Sequence, residues 1–270
     1  MNIFEDQTNP VLDGWTVGLT IAIVIVACLI VALSIVALIF SIKRMLVYLK
    51  YNKQMVKSGV IGKDCARELL DKHGLNKIKV VKASVFTAFM IGNSYSHWFK
   101  RVRLRGLIYN KASLTSLAIA GQKVGLARLD KEGDKDMKRR IWLPIVSFLS
   151  SWMFILLVAA GIILDLLFFK NGWFALISSS LGLVFYGLGF WFCLSQLKTE
   201  IKAQNLAIEM LKNEEYLTNE EIEDAKTLYR QYNIDYVISL LIALLEAILQ
   251  ALKIALQIVT KVNTSSNSSN

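Results

Sequence analysis

Residues 15–42 read WTVGLTIAIVIVACLIVALSIVALIFSI, 28 positions without a charge. A helix rises about 1.5 Å per residue, so roughly 20 such residues cross the hydrocarbon core of a bilayer. A helix apolar on every side must bury itself in a large core or in lipid. The run is too long for a signal-peptide core, follows an acidic leader (Glu5, Asp6, Asp13) and precedes no small-residue cleavage site, so it reads as a permanent span.

Further apolar runs cover residues 142–169, 173–197 and 237–259. Only Lys170, Asn171 and Gly172 separate the first two, which predicts a tight helical hairpin. Trp142 and Trp173 stand at run ends, where indoles favour the membrane interface, and Asp165 lies near the hairpin end, within reach of interfacial water. In the last run Glu246, Gln250, Lys253 and Gln257 recur at spacings of four, three and four and share one helix face. That predicts a span whose polar stripe packs on other helices. The alternatives are a helix lying along the membrane surface and an ion pathway.

The expected fold is therefore a mainly α-helical integral membrane protein with about four transmembrane helices and a small α+β region between the first and second spans. Its expected parts are an outer tail (1–14), helix 1 (15–42), a basic cytoplasmic region (43–141), a hairpin (142–197), an acidic helical segment (198–236), helix 4 (237–260) and a disordered tail (261–270). Orientation follows from the flanking charges: residues 1–14 hold no Lys or Arg, whereas Lys43, Arg44, Lys50, Lys53 and Lys57 follow the first span without an acid among them. The N-terminus is expected outside and the main polar regions in the cytoplasm. Lysine outnumbers arginine 22 to 9, and Asn and Ile are abundant, a bias of AT-rich bacterial genomes that places the chain in a bacterial cytoplasmic membrane. The Asn263–Ser265 and Asn267–Ser269 sequons are then incidental.

Residues 43–141 carry 23 Lys/Arg against 7 Asp/Glu, a net charge of +16, and residues 198–233 carry 5 against 8, a net of −3. A basic surface beside a membrane suits anionic lipids or acidic protein partners. The nearest acidic partner is the chain's own segment from Glu214 to Asp224. No RNA- or DNA-binding motif accompanies the charge, so nucleic acid is not an expected partner, and an oligomer is left open. Cys28, Cys65 and Cys193 contain no CxxC pair and read as buried free thiols.

Within 43–141, residues 62–75 predict a short helix ended by Gly74, with Leu75 packing back on it. Short strands are expected at 78–81 and 101–104, where Arg101, Val102, Arg103 and Leu104 alternate. A helix over 114–129 follows, with Ser113 as N-cap. The segments Ser58–Leu75, Lys100–Leu104, Leu143–Pro144, Leu197–Ala203, Tyr236–Val237 and Leu244–Glu246 resemble, in that order, the membrane-bound neutral zinc metallopeptidases of the YugP type, over about residues 43–260. In that family the helix after the strand carries His-Glu-x-x-His. Residues i and i+4 share a helix face, so two imidazoles hold one zinc, and the glutamate is the general base.

The resemblance lays that motif on Gln122, Lys123, Val124, Gly125 and Leu126. Gln122 is a poor ligand and Leu126 is none. Lys123 puts a cation where the base belongs, a repulsion on the order of 5 kcal/mol against a divalent ion about 5 Å away. The third ligand implied by the resemblance is a glutamate after the hairpin, and it corresponds to Glu200. The bland reading of Glu200 is a solvated helix residue; the sharper one is an ion pair between Lys123 and Glu200 replacing the zinc. His73 and His97 match no ligand position and read as ordinary polar residues. No catalytic residue, metal or cofactor is expected.

The expected function is an inactive peptidase homologue acting as a membrane scaffold or interaction subunit, with partners reached through the basic region and a peptide groove offered by the edge of strand 101–104. The alternatives are a membrane-anchor subunit of a large bacterial assembly, a hydrolase with an unrecognised site, and a small transporter or channel, for which only Asp165, Glu246 and Lys253 speak.

Overall fold

The computed structural model describes residues 10–90, 92–164 and 173–267. Within them lie α1 (Pro10–Lys53), α2 (Gly62–Lys72), β1 (Lys79–Lys82), α3 (Val85–Met90), β2 (Ser94–Ser96), β3 (Arg101–Leu104), α4 (Gly106–Tyr109), α5 (Leu114–Lys131), α6 (Lys135–Leu164), α7 (Trp173–Asn213) and α8 (Asn219–Asn267). The fold is mainly helical with one small sheet. Asp165 and the linker Lys170–Gly172 lie outside the described residues.

The long helices do not stop where apolar sequence gives way to polar. α1 runs from Pro10, a residue whose fixed φ suits a first helical turn, through to Lys53. α8 carries on to Asn267, past residue 260, where the sequence predicts a disordered tail. No Gly or Pro interrupts residues 261–267, so the backbone ladder continues through them.

The chain divides into two compact units. The first comprises Met1–Val36, Ile145–Trp191 and Ser239–Asn270. Among its described residues it is helical throughout. α6 and α7 approach closely at Gly161, where a Cβ would fall 2.8 Å from the Phe174 carbonyl oxygen. Two helices, Gly14–Lys53 and Asn219–Lys261, are long and apolar enough to cross a membrane. The rest of the chain covers none of the most apolar stretch of the former and 11% of the latter. Helices belonging to a soluble core would be covered, so these surfaces suit lipid. Cys28, on α1, is exposed rather than buried, because nothing among the described residues packs over that face; Cys65 is buried, and the Cys193 side chain lies outside the described residues.

The second unit comprises Ala37–Pro144 and Phe192–Ile238. Its core gathers Leu69 and Leu70 of α2, Val102 and Leu104 of β3, Leu114, Leu117 and Val124 of α5, Leu211 of α7 and Leu228 of α8. α2 ends as its glycine dictates. Gly74 takes φ +65°, its N–H donates to Asp71, and the Leu75 N–H reaches back to the Leu70 carbonyl at 2.7 Å, a Schellman closure. Ser113 caps α5 by accepting from the Ser116 N–H at 3.2 Å.

The sheet order is β1-β3-β2, with β1 parallel and β2 antiparallel to β3. Arg101–Leu104 is therefore the central strand, paired on both sides, and it has no edge to lend to a peptide. The alternation in its sequence is real, since Val102 and Leu104 are buried while Arg101 and Arg103 are half-buried. Alternation reports which face is buried, not where a strand sits in its sheet.

The acidic segment lies against the basic one. Asp224 accepts from the Tyr51 hydroxyl at 3.0 Å and the Gln54 amide at 3.1 Å, and Glu221 accepts from the Lys57 N–H at 3.1 Å. Lys72 pairs with Glu214, and the Tyr216 hydroxyl donates to Glu68.

Candidate functional site

α5 and α7 cross with almost no side chain between their backbones. Gly121 and Gly125 of α5 face Ala203, Ala207 and Leu211 of α7. A Cβ on Gly125 would stand 2.4 Å from the Ala203 carbonyl oxygen, closer than any real contact, so only glycine lets the helices meet there. This approach sets Gln122 and Lys123, beside the glycines, directly against Glu200, one turn before Ala203.

Both carboxylate oxygens of Glu200 are engaged. The Gln122 amide donates to Oε2 at 2.6 Å, Lys123 Nζ lies 3.6 Å from the same oxygen, and the Arg140 guanidinium of α6 pairs with Oε1. Glu200 is 8% exposed and Lys123 9%. Burial pushes the Glu200 carboxyl up, but the Lys123 and Arg140 charges outweigh it and hold the pKa below the usual carboxylate range. For Lys123 the balance falls the other way. Burial and then the Arg140 charge work against the ammonium more than Glu200 favours it, so its pKa is lowered. Two cations share one anion. Arg140 Nη1 is also buried without a hydrogen-bond partner among the described residues.

The structure thus brings Gln122, Lys123 and Glu200 together and sends Leu126 elsewhere. Leu126 is 1% exposed and packs with Leu129, Met137 and Ala203 in a second small core, with Tyr95, Ile141 and Leu206 around it. Arg140 is the member that sequence reasoning misses. It lies 60 residues from Glu200 in a run of three cations, Lys138, Arg139 and Arg140, and nothing local distinguishes it from its neighbours. A cleft of about 620 Å³ opens onto the cluster, lined also by Arg44, Tyr48, Arg105 and Tyr236. Gln204 and Asn233 exchange reciprocal amide hydrogen bonds of 3.0 and 2.8 Å at its wall.

His97 is more than a surface polar residue. Its Nδ1 lies 2.7 Å from Asp130 Oδ2 on α5, and the Tyr95 hydroxyl donates to the same oxygen at 2.6 Å, with Lys100 Nζ at 3.3 Å. Burial raises the Asp130 pKa, but these donors together hold it below its ordinary value. The group pins the β2–β3 turn to α5. His73 stands at the end of α2 and gives its carbonyl to Lys131 Nζ at 2.8 Å; burial, followed by the Arg128 charge, lowers its pKa.

The fold and the site define a mainly helical membrane protein whose α5–α7 crossing carries a buried polar cluster at the head of a cleft. The chain belongs to the family described as "Putative neutral zinc metallopeptidase", whose sequence pattern matches residues 24–256. It is 27% identical over 176 residues to the "Putative membrane protease YugP" of Bacillus subtilis (strain 168), an alignment covering 64% of this chain and 71% of that protein. No solved structure matches it.

The family name implies zinc, and the residues at this position do not fit it. The cluster offers one carboxylate, an amide, an ammonium and a guanidinium, where zinc takes deprotonated Cys, neutral His or carboxylate ligands. Among the described residues no three His, Cys, Asp or Glu side chains converge as a metal-holding group.

Proposed function

We propose that the chain is a catalytically inactive homologue of a membrane zinc metallopeptidase, serving as a membrane scaffold or protein-interaction subunit. The observation that carries this reading is the state of Glu200, whose two oxygens are taken by Gln122, Lys123 and Arg140. Lys123 and Arg140 compensate the Glu200 charge, which a bound metal ion would otherwise do. The helix crossing at Gly125 holds α5 and α7 together by backbone approach, so the frame does not depend on the chemistry of this cluster. A base must be free to accept a proton from water, and a carboxylate engaged at both oxygens and held below its usual pKa range is a poor one.

The experiment is to purify the full chain in mild detergent, soak it with zinc, dialyse it, and measure bound zinc and casein cleavage. Neither stoichiometric zinc nor cleavage is expected. Casein cleavage that disappears on Gln122→Ala or Lys123→Ala would overturn the reading in favour of a hydrolase with an unrecognised site. A subunit role further requires a protein that co-purifies in fixed ratio, and the net charge of +16 on residues 43–141 favours an acidic one. A large assembly in the eluate would specify the role as that of a membrane anchor.

The proposed topology has four spans, with the N-terminus outside and the α+β region cytoplasmic. Its support is the charge asymmetry around α1, together with the two apolar helices. Labelling of a cysteine placed at Ser58 by an impermeant thiol reagent in intact cells would overturn that orientation.

A further inference from the structure

The second unit presents a face that a water-soluble surface does not explain. On α3, Val85, Phe86 and Phe89 point outward at 92%, 73% and 84% exposure, while Thr87 and Ala88 face inward. The helix is held in this pose from behind: the Arg105 guanidinium donates to the Ala88 carbonyl at 3.0 Å, and the Arg105 N–H donates to Asn93 Oδ1 at 2.7 Å. The β2–β3 turn adds Trp98 and Phe99, both more than 60% exposed. Single exposed apolar residues are ordinary, but five large ones on a short helix and a turn at the two ends of β3 are not.

Two observations say what covers this face. Trp98 packs edge-to-face on Trp142, with ring centroids 5.8 Å apart, and Trp142 is where the apolar run of α6 begins. The turn is therefore tied to the residue that marks the lipid boundary. Apart from Asp130, which pairs with Lys100 and His97, the surrounding charge is also of one sign. From Lys72 to Leu129 the sequence holds no Asp or Glu, and Lys82, Lys100, Arg101, Arg103 and Arg105 flank the aromatic residues. The Arg101 guanidinium lies over the Phe99 ring, 4.5 Å from its centroid. Aromatic side chains inside a basic collar match the interfacial layer of an anionic bilayer, where rings sit at headgroup depth and lysine and arginine meet phosphate.

We infer that α3 and the β2–β3 turn form a membrane-dipping element, seated in the headgroup layer of an anionic phospholipid bilayer through Val85, Phe86, Phe89, Trp98 and Phe99. The element does not span. Six residues of helix reach about 9 Å, which suits insertion to headgroup depth. It adds a second hold on the membrane to the helices and fixes how the sheet and α5 stand on the lipid. The inference rests on the reading that α1 spans the membrane.

The test is made on the full chain, with Cys28→Ser and Cys193→Ser as background, reconstituted into phosphatidylcholine vesicles with and without phosphatidylglycerol. Nitroxide labels are placed one at a time through Phe86→Cys, Phe89→Cys, Val31→Cys within α1, and Glu223→Cys on the exposed acidic face of α8. Collision rates with oxygen, which concentrates in lipid, and with a water-soluble nickel chelate give the depth of each label. In vesicles containing phosphatidylglycerol, the oxygen-to-nickel ratio at residues 86 and 89 should lie several-fold above that at 223 and below that at 31, and it should fall without the anionic lipid.

Water-like values at 86 and 89 with a lipid-like value at 31 would overturn the inference and leave the span intact. A water-like value at 31 would bring down the span, and the inference with it. Labels at 86 and 89 shielded from both reagents and broadened by one another would show a second copy covering the face, which also overturns it.

Discussion

Two groups of charged side chains tie α7 to the segments before it, and they differ chiefly in their access to water. At Glu200 the carboxylate, Lys123 and Arg140 are all enclosed, with side chains 11–18% exposed. Two residues further along α7, Lys202 reaches Asp134 at 2.6 Å and Asp136 at 2.7 Å, and Lys198 reaches Asp136 at 3.4 Å. There the aspartates are largely covered, but the lysines stand 36% and 69% exposed. Asp134 also serves locally, accepting from the Asp136 and Met137 N–H groups to cap α6. Ions that must be taken out of water depend on their partners, whereas ions that keep their hydration depend on them little. The two groups therefore look alike as lists of contacts and differ in what their loss costs.

The sharpest break in that comparison is Glu200→Leu. It leaves Lys123 and Arg140 buried, close together and uncompensated, and removing one partner of a buried pair costs about 3–5 kcal/mol. In detergent the variant should lose most of its denaturant midpoint or fail to accumulate. Glu200→Gln keeps the shape and one acceptor and should fall between it and the parent. A Glu200→Leu protein as stable as the parent would mean that water enters the cleft far enough to solvate both cations.

Acid should separate the two groups by onset. Glu200 has a folded pKa held below its ordinary 4.5, so the unfolded chain takes up the proton first. Its contribution is complete above about pH 4.5 and is lost as pH falls through the folded value. Asp134 and Asp136 are likewise lowered, but from 3.8, so their loss begins at lower pH. For Asp134 burial opposes the Lys202 bond that lowers it, while for Asp136 that bond is the leading cause. The denaturation midpoint should decline gently below about pH 6.5, where the lowered His73 is protonated first in the unfolded chain, and more steeply below about pH 4.5, with the onset of the steeper part missing in Glu200→Gln. An unchanged acid limb in that variant would show that Glu200 carries little of the protein's acid sensitivity.

Much of this frame is legible in the sequence because it is local. Ser113 and Gly74 announce the start of α5 and the end of α2 through their own side-chain and backbone preferences. Gln122, Lys123 and Glu200 come from the family resemblance, since each falls at a matched position. What is hidden depends on distant partners. β2 is three residues, Ser94–Tyr95–Ser96, with no apolar alternation, and only its pairing with β3 makes it a strand. That same pairing closes the edge the sequence seems to offer at Arg101–Leu104. The sequence shows Gly121 and Gly125 spaced four apart, as are Ala203 and Ala207. That these pairs face each other follows only from the crossing of two helices about 80 residues apart in the chain. His97 looks idle until Asp130 is brought to it.

The smallest effect belongs to the solvated side of the comparison. Lys202→Met removes both contacts of 2.6 and 2.7 Å and keeps much of the side chain's apolar stem. Lys198 remains beside Asp136, Asp134 still accepts from two N–H groups, and water reaches what is vacated. Exposed pairs of this kind are worth about 0.2–1 kcal/mol, so the midpoint should shift little. The parent protein should approach the variant as salt rises toward about 1 M, where the Debye length is near 3 Å. A loss comparable to that of Glu200→Leu, or one that salt does not reduce, would place the aspartates at the start of α6 in the same enclosed class as Glu200. Coverage of one partner would then suffice to make a charged pair indispensable, even with the other open to water.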